Sequence, residues 1–318
     1  MTARRLAGVW PIVATPFAAD GSPAVADLGR LVDFLVDSGV DGIVFPGVAS
    51  EFETLAPAER ASLVEAVAAA NRGRVGFVVG ASAADAAAAE GHAAHARRVG
   101  ADAVMAMLPP ALRDDAAGQL EYYRRVARAG LPVILQNAPP PAGCGLAPER
   151  VAAIIGEVPG VAYVKEETLP CGQRITRILA LAPSGLAGVF GGAGGRYLPD
   201  ELARGACGTM PAAELADLFV RLWAAHHAGD AKGARRLFDR MLPLLNFQAV
   251  FRMAMTKEVL RRRGVIAATR VRAAGPSLDA GDLRELDHLL ADAADVLPDA
   301  PGIATHPVPG IRSGSAPR

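Results

Sequence analysis

Short apolar segments alternate with helical segments along the first two thirds of the chain, and this alternation limits the possible folds more than any other feature. Eight apolar segments predict β-strands, and they begin roughly every 20 to 33 residues. Alanine-rich stretches with apolar residues at helical spacing lie between them. The predicted strands are residues 9–14, 42–45, 75–79, 103–107, 132–136, 161–165, 187–190 and 207–210.

Eight strand–helix units match a closed (β/α)8 barrel better than an open sheet. The alternative, an open doubly wound α/β sheet, normally carries a glycine-rich phosphate loop after its first strand. Here Thr15, Pro16 and Phe17 follow the first strand instead. The helices predicted between the strands include residues 27–37, 57–71, 84–99, 119–129 and 148–155.

The strand pattern stops after Met210, and helical periodicity continues without it. The remaining segments predict helices over residues 215–228, 231–245, 249–263 and 282–293, with joints near Gly229 and Asn246. The end of the chain is rich in proline, glycine and serine and has few aromatic residues, which predicts disorder. The predicted units are a barrel of residues 1–214, a helical domain of residues 215–297 and a disordered tail of residues 298–318.

The charge and the cysteine content of the chain indicate which partners and which cellular location to expect. The chain has 318 residues with 33 basic and 33 acidic side chains, so its formal net charge is zero. Neutrality gives no reason to expect nucleic acid or an anionic membrane as a partner, and no apolar run approaches the ~20 residues of a spanning helix. The N-terminus is too short for a signal peptide before the first strand. We therefore expect a cytoplasmic protein with reduced thiols and no metal site at its scattered cysteines, Cys144, Cys171 and Cys207.

Lys165 ends one of the predicted buried strands and has the most distinctive chemistry in the chain. An ammonium group in that position is costly unless its charge is paired or its pKa is lowered. A desolvated lysine amine can attack a ketone and form a Schiff base. Alternatively, the side chain extends to solvent or pairs with Glu166 or Glu167.

The loops at the carboxyl ends of barrel strands supply the candidate binding residues, because chemistry in this architecture lies at that end. Glycine runs there can bring backbone N–H groups close to a carboxylate, although a tight turn explains such runs equally well. The substrate-binding candidates are Thr15, Gly47, Val48, Ala49, Ser50, Gly191 and Gly192.

Four segments together resemble the dihydrodipicolinate synthase/N-acetylneuraminate lyase family of class I lyases and aldolases. The resemblance spans about residues 8–297. It implies a TIM barrel with a C-terminal helical domain, usually in a homotetramer. It also implies that Lys165 forms a Schiff base with a 2-oxo acid such as pyruvate, without a metal or a dissociable cofactor. The segments are Val13-Ala14-Thr15-Pro16-Phe17, the loop Gly47 to Glu51, Asn137-Ala138-Pro139 with Gly143 behind it, and Val164-Lys165-Glu166.

Several positions depart from the pattern of the family's synthases. Gln136 stands where a tyrosine usually precedes the Asn-Val-Pro segment, and Pro141 replaces the arginine that grips the second substrate. The two threonines of the 47–51 loop are absent, with Ser50 able to replace one hydroxyl. Pro110 and Ala111 replace tyrosines after the fourth strand, which predicts an apolar pocket shared with the 48–49 loop. These changes argue against a lysine-pathway synthase.

The altered segments are similar to the 2-keto-3-deoxyarabonate dehydratase branch of the family. Gln136-Asn137-Ala138-Pro139 resembles that branch's Gln-Asp-Ala-Pro segment, and residues 207–210, 242–246 and 256–266 extend the similarity. We interpret Lys257 and the arginines at 261–263 as a solvated or interface face of a helix.

Three hypotheses follow from these residues. Dehydration of a 2-keto-3-deoxy sugar acid through the Schiff base is favoured, because cleavage needs a base that the missing tyrosine would supply. The alternative is a pyruvate-dependent aldolase or synthase of the same family, and a third hypothesis is a non-catalytic 2-oxo acid binding protein. The predicted catalytic residues are Lys165, Gln136 and Asn137, whereas Glu51 is interpreted as structural.

Overall fold

The predicted strands form one parallel sheet that closes into a barrel. The strands are β1 (Gly8–Val9), β2 (Gly42–Phe45), β3 (Gly76–Gly80), β4 (Ala103–Met107), β5 (Val133–Asn137), β6 (Val161–Glu166), β7 (Gly188–Gly191) and β8 (Gly208–Thr209). They pair in the order β1-β8-β7-β6-β5-β4-β3-β2. Between β1 and β2, the Val13 amide donates to the Val44 carbonyl at 2.9 Å and the Val44 amide donates to the Pro11 carbonyl at 3.0 Å. The (β/α)8 barrel is confirmed.

The computed structural model describes residues 5–181 and 185–297. The tail predicted to be disordered, residues 298–318, lies outside the described residues. The barrel helices are α1 (Val25–Asp37), α2 (Pro57–Asn71), α3 (Ala86–Arg98), α4 (Ala116–Ala127), α5 (Pro148–Glu157), α6 (Cys171–Leu181), α7 (Leu198–Ala203) and α8 (Ala216–His227). Pro57 and Pro148 each begin a helix, where the missing N–H leaves no hydrogen bond unmade.

Side chains on the strands alternate between the barrel interior and the surrounding helices. The interior is a separate apolar cluster that includes Ile134 on β5 and Tyr163 on β6. Two residues further along the same strands, Gln136 and Lys165 therefore also point inward, and the register pairs them directly. At the carboxyl ends of β5 and β6, the barrel interior therefore holds the Gln136 amide and the Lys165 amine.

The first strand is shorter than predicted. Regular pairing covers only Gly8–Val9. Pro11 has no N–H to donate, which interrupts the hydrogen-bond ladder. Beyond it, Ile12 forms single bridges to Val44 and Ala212.

The C-terminal helices differ from the prediction in two respects. Helix α8 follows β8 and packs against β1, so it is the eighth barrel helix and the boundary predicted at residue 214 divides a barrel unit. The extension then comprises α9 (Ala231–Phe251), α10 (Met253–Arg262) and α11 (Ala280–Asp292). The joint predicted near Asn246 is wrong, because α9 runs as one helix from Ala231 to Phe251. The chain breaks instead at Arg252.

A buried ion pair fastens the extension to the barrel. Lys257 on α10 is fully buried, and its Nζ donates to Glu51 Oε1 at 2.5 Å and to the Arg270 carbonyl at 2.7 Å. The other Glu51 oxygen accepts from the backbone amides of Arg272 and Ala273 at 2.6 and 2.7 Å. Glu51 is structural, as interpreted. Of the two alternatives predicted for Lys257, the solvated face is wrong, because Lys257 is buried where the extension meets the barrel.

Candidate active site

Lys165 lies at the carboxyl end of β6 and only 4% of it is exposed. Its Nζ is 3.3 Å from Glu167 Oε1. Of the two carboxylates that follow the lysine, the strand alternation directs Glu167 inward and Glu166 outward. The amine is therefore paired inside the barrel and does not extend to solvent.

The Glu167 carboxylate contacts three residues: Lys165, Gln136 and Ala193. Its Oε2 accepts a hydrogen bond from Gln136 Nε2 at 2.7 Å, and its Oε1 accepts one from the Ala193 amide at 3.2 Å. Burial by itself raises the pKa of Glu167, but the Lys165 charge and these donors outweigh burial, so the pKa lies below its ordinary value. Glu167 is thus a carboxylate held beside the lysine amine.

Lys165 and Glu167 both line a cavity of about 260 Å³ at the carboxyl end of the barrel. Its remaining walls combine apolar residues with a few polar groups. They are formed by Ile12, Val48, Ala49, Ala138, Pro139, Pro140, Pro141, Ala142, Ala193, Gly194, Arg196, Met210, Ala212, Gln248, Ala249, Arg252 and Met253.

Among the predicted substrate-binding residues, Val48 and Ala49 line the cavity. Ser50 does not, because its hydroxyl donates to the Val13 carbonyl at 2.5 Å and its amide donates to the Gly47 carbonyl at 2.8 Å. Thr15 is also buried behind the loop, where its hydroxyl donates to the Ser50 carbonyl at 2.6 Å. Ser50 cannot replace a substrate-binding hydroxyl, since its own hydrogen bonds shape the loop.

Gly47, Gly191 and Gly192 also lie outside the cavity lining. The Gly47 amide donates to Ser50 Oγ at 2.9 Å. A Cβ on Gly191 would lie 1.9 Å from a Glu201 oxygen, and one on Gly192 would lie 2.4 Å from Glu167 Cγ. These last two glycines are needed for the close approach of carboxylates to the backbone, and the prediction that they bind substrate directly is not supported.

Asn137 faces away from the barrel interior, which corrects its prediction as a catalytic residue. It follows the inward Gln136 on β5, so it points toward the helices. Its amide donates to Glu166 Oε2 at 2.8 Å and to the Leu146 carbonyl at 3.0 Å, and its oxygen accepts from the Leu146 amide at 2.8 Å. Glu166 in turn pairs with Arg174 at 3.2 Å. This network positions the loop after β5.

Sequence reasoning missed three polar residues of the cavity: Arg196, Gln248 and Arg252. Arg196 follows the glycine run after β7, and this run was the only sequence feature that could have indicated that Arg196 lies at the site. Gln248 and Arg252 come from α9 and its end, distant in sequence from every strand. The pocket predicted around Pro110 and Ala111 is also wrong, because both residues are exposed and outside the lining.

Glu201 on α7 is a fully buried carboxyl group beside this site. Neither of its oxygens has a hydrogen-bond partner in the described part of the chain. Burial and the nearby Glu167 carboxylate raise the pKa of Glu201 to about 8. The group is therefore mainly neutral at pH 7.

We expect Glu201 to make the protein less stable as pH rises from about 4.5 to about 8. The folded protein binds this proton more tightly than the unfolded chain, so the stabilisation is complete below the unfolded pKa and is lost as pH rises to the folded pKa. The effect should be on the order of a few kcal/mol. Urea unfolding of Glu201→Gln across this range should show a flatter pH dependence than the wild type.

Glu157→Gln, which alters an exposed carboxylate at the end of α5, is the control and should keep the wild-type slope. Burial raises the pKa of Glu214 to about 7. The stability of Glu201→Gln should therefore still depend on pH, with a smaller slope than that of the wild type. An unchanged slope in Glu201→Gln would show that the buried carboxyl does not titrate in this range.

Comparisons with known proteins agree with this architecture. The dihydrodipicolinate synthetase family model matches residues 5–292. The chain belongs to the dihydrodipicolinate synthetase family. Members of this family are lyases that bind small molecules and are usually oligomeric.

Two relatives and a solved structure illustrate the family similarity. The chain is 30% identical over 284 residues to L-2-keto-3-deoxyarabonate dehydratase of Azospirillum brasilense, covering 88% of this chain and 92% of that one. It is 31% identical over 240 residues to 4-hydroxy-tetrahydrodipicolinate synthase of Maridesulfovibrio salexigens, covering 74% and 81%. The crystal structure of dihydrodipicolinate synthase from Rhodopseudomonas palustris superposes with a TM-score of 0.84 at 28% identity, covering 91% and 98%. A dehydratase and a synthase are thus equally similar, and the choice between them depends on the cavity.

No helix within residues 5–181 and 185–297 has the length and apolar character needed to cross a membrane. In the same ranges, no group of three or more His, Cys, Asp or Glu side chains is arranged to hold a metal ion.

Proposed function

We propose that this chain is a hydro-lyase that dehydrates a 2-keto-3-deoxy sugar acid through a Schiff base on Lys165. One observation carries the proposal: Glu167, which lines the cavity with Lys165, contacts Lys165 Nζ with one carboxylate oxygen and Gln136 Nε2, behind the lining, with the other. The contact combines a nucleophilic amine with a carboxylate that can accept and return a proton. The iminium serves as the electron sink, so the proposal needs no metal or dissociable cofactor.

The first stage forms the covalent intermediate. Glu167 accepts a proton from the Lys165 ammonium, and the freed amine attacks the C2 ketone of the substrate. Glu167 returns that proton as the former ketone oxygen leaves as water, so this stage ends with a protonated imine beside the Glu167 carboxylate. The substrate carboxylate is placed beside the backbone of Val48 and Ala49, which line the facing wall.

The second stage eliminates water. The iminium acidifies the C3 proton, which Glu167 accepts to give a neutral enamine. The enamine electrons return as the C4 hydroxyl leaves, and Glu167 transfers the proton to that hydroxyl, which departs as water. Hydrolysis of the resulting unsaturated iminium releases the product and restores Lys165. Gln136 holds the Glu167 carboxylate in place through both proton transfers.

The cavity provides less support for the synthase reaction. In the described part of the chain, no tyrosine lines the cavity, so no phenolic hydroxyl is present to relay protons during condensation. Pro141, which replaces the synthases' arginine, lines the wall and supplies no side-chain hydrogen-bond donor at that position. The walls around it are alanine and proline, which suits a neutral enamine more than an alkoxide.

A substrate panel tests the proposed reaction. The protein should convert a 2-keto-3-deoxy pentonate or hexonate with loss of one water, detected by mass spectrometry, without stoichiometric release of pyruvate. It should not condense pyruvate with aspartate semialdehyde to a measurable extent. Lys165→Arg is the matched inactive control.

Other results would reassign the function. Stoichiometric pyruvate release would favour the aldolase, and efficient condensation would favour the synthase. Tight binding of 2-oxo acids without turnover would indicate a binding protein. The homotetramer and the cytoplasmic location stay predictions.

A further inference from the structure

Two arginines line the cavity without an ion pair to any residue of the described chain. Arg196 follows the turn after β7, and Arg252 joins α9 to α10. A Cβ built on Gly194 would lie 3.0 Å from Arg196 Nη1 and 3.4 Å from Gln248 Oε1. The guanidinium and the amide therefore both lie close to this glycine, which also lines the cavity.

The charges on the cavity walls do not balance. The lining contains three cationic side chains, Lys165, Arg196 and Arg252, and a single carboxylate, Glu167. Schiff-base formation leaves the positive charge at Lys165 unchanged, because an iminium replaces an ammonium. A substrate with one carboxylate would leave an excess cation, whereas a substrate with two would neutralise the site.

Arg252 occupies an unusual backbone conformation. Its φ of 47° and ψ of −121° fall outside the left-handed helical region that side-chain-bearing residues visit. Such conformations persist only where the surrounding structure holds them, and they are concentrated at functional sites. Here the conformation ends α9 and brings Arg252 to line both this cavity and an adjoining one of about 970 Å³.

Arg196 lies where the far end of the substrate would extend. Val48 and Ala49 follow β2, which lies four strands around the barrel from β6 and its Lys165. A 2-oxo acid with its first carboxylate beside Val48 and its ketone at Lys165 would direct its remaining carbons away from the β2 loop. Arg196 follows β7, the strand next to β6, whereas Arg252 lies at the end of α9 and also lines the adjoining cavity together with Val48.

We propose that Arg196 and Arg252, with Gln248 beside them, form a subsite for a second carboxylate, so that the preferred substrate is a 2-keto-3-deoxy sugar diacid. This inference rests on the proposed function for the orientation of the substrate. The guanidinium groups present paired N–H donors that match the two oxygens of a carboxylate.

Two 2-oxo acids of equal length test the subsite: 2-oxoglutarate, which ends in a carboxylate, and 2-oxopentanoate, which ends in a methyl group. Binding is measured by calorimetry, and the adduct on Lys165 is measured by borohydride trapping. The wild type should bind 2-oxoglutarate ~10- to 100-fold more tightly, the range expected for hydrogen bonds to a charged group. Arg196→Gln and Arg252→Gln should each remove much of this preference and leave 2-oxopentanoate binding almost unchanged.

Arg98→Gln is the matched control, because Arg98 is exposed at the end of α3, away from the cavity lining, and should keep the full preference. Equal affinity of the wild type for the two acids, or no binding of either, would overturn the subsite. An equal loss for both acids in the variants would also overturn it, since the arginines would then hold the first carboxylate. A calorimetric preference without any borohydride adduct would support the subsite while contradicting the Schiff base.

Discussion

Replacing Lys165 with arginine should abolish the borohydride-trapped adduct and reduce turnover on the order of 10⁴-fold or more, as loss of a covalent nucleophile does in other enzymes. Arginine keeps the positive charge beside Glu167, but its guanidinium is not a usable nucleophile at neutral pH. Trapping with pyruvate and borohydride, followed by peptide mapping, gives a direct measurement. In the wild type the reduced adduct should lie on Lys165.

The chain contains an internal comparison for this experiment. Lys257 is also buried and ion-paired, but its partner Glu51 lies outside the lining of the active-site cavity. It should therefore not be labelled. An adduct on Lys257 or on Lys232, or none on any lysine, would contradict the assignment of Lys165. Circular dichroism of Lys165→Arg should match the wild type, because the ion pair with Glu167 is retained.

Replacing Glu167 with glutamine should lower kcat for dehydration by about 10²- to 10⁴-fold, the usual contribution of a general acid–base group. Glutamine keeps the shape of the side chain, but it can neither accept the C3 proton nor return it to the C4 hydroxyl. The pKa of Glu167 lies below its ordinary value, so the acidic limb of the wild-type kcat/KM profile should lie at low pH. That limb should disappear in Glu167→Gln.

Glu166→Gln is the matched control, because Glu166 is the preceding carboxylate but points away from the cavity. It contacts Asn137 and Arg174, so its loss should lower the denaturation midpoint and leave kcat little changed. If Glu166→Gln removed activity and Glu167→Gln did not, the roles given to the two carboxylates would be reversed. A reduced kcat with an intact acidic limb in Glu167→Gln would assign the proton transfers to another group.

The barrel could be predicted from the sequence because its determinants are local. Each strand is a short apolar run. Each helix has its own apolar periodicity and residues that mark where it begins, such as Pro57 and Pro148. The order of these elements defines the (β/α)8 pattern without knowledge of any long-range contact. Lys165 was found for the same reason, since its position at the end of a buried strand is visible in the residues beside it.

The structure alone decided which polar residues share the site. Strand alternation and register turn Gln136 inward opposite Lys165, and they turn Asn137 outward. A shift of one residue at a strand end reverses that outcome, and sequence patterns locate strand ends less securely than strands. The choice between Glu166 and Glu167 as the partner of the lysine depended on the same register.

Long-range packing determined the rest of the site. Lys257 seemed suited to an exposed helix face, but it is buried because Glu51, 206 positions earlier, supplies its counter-charge. Arg252 reaches the cavity because α9 continues past the predicted joint and breaks there. The sequence by itself determined the periodic elements and the position of Lys165 at the end of a buried strand. Only the tertiary structure decided the charges around that lysine, because those contacts join segments that are distant in the chain.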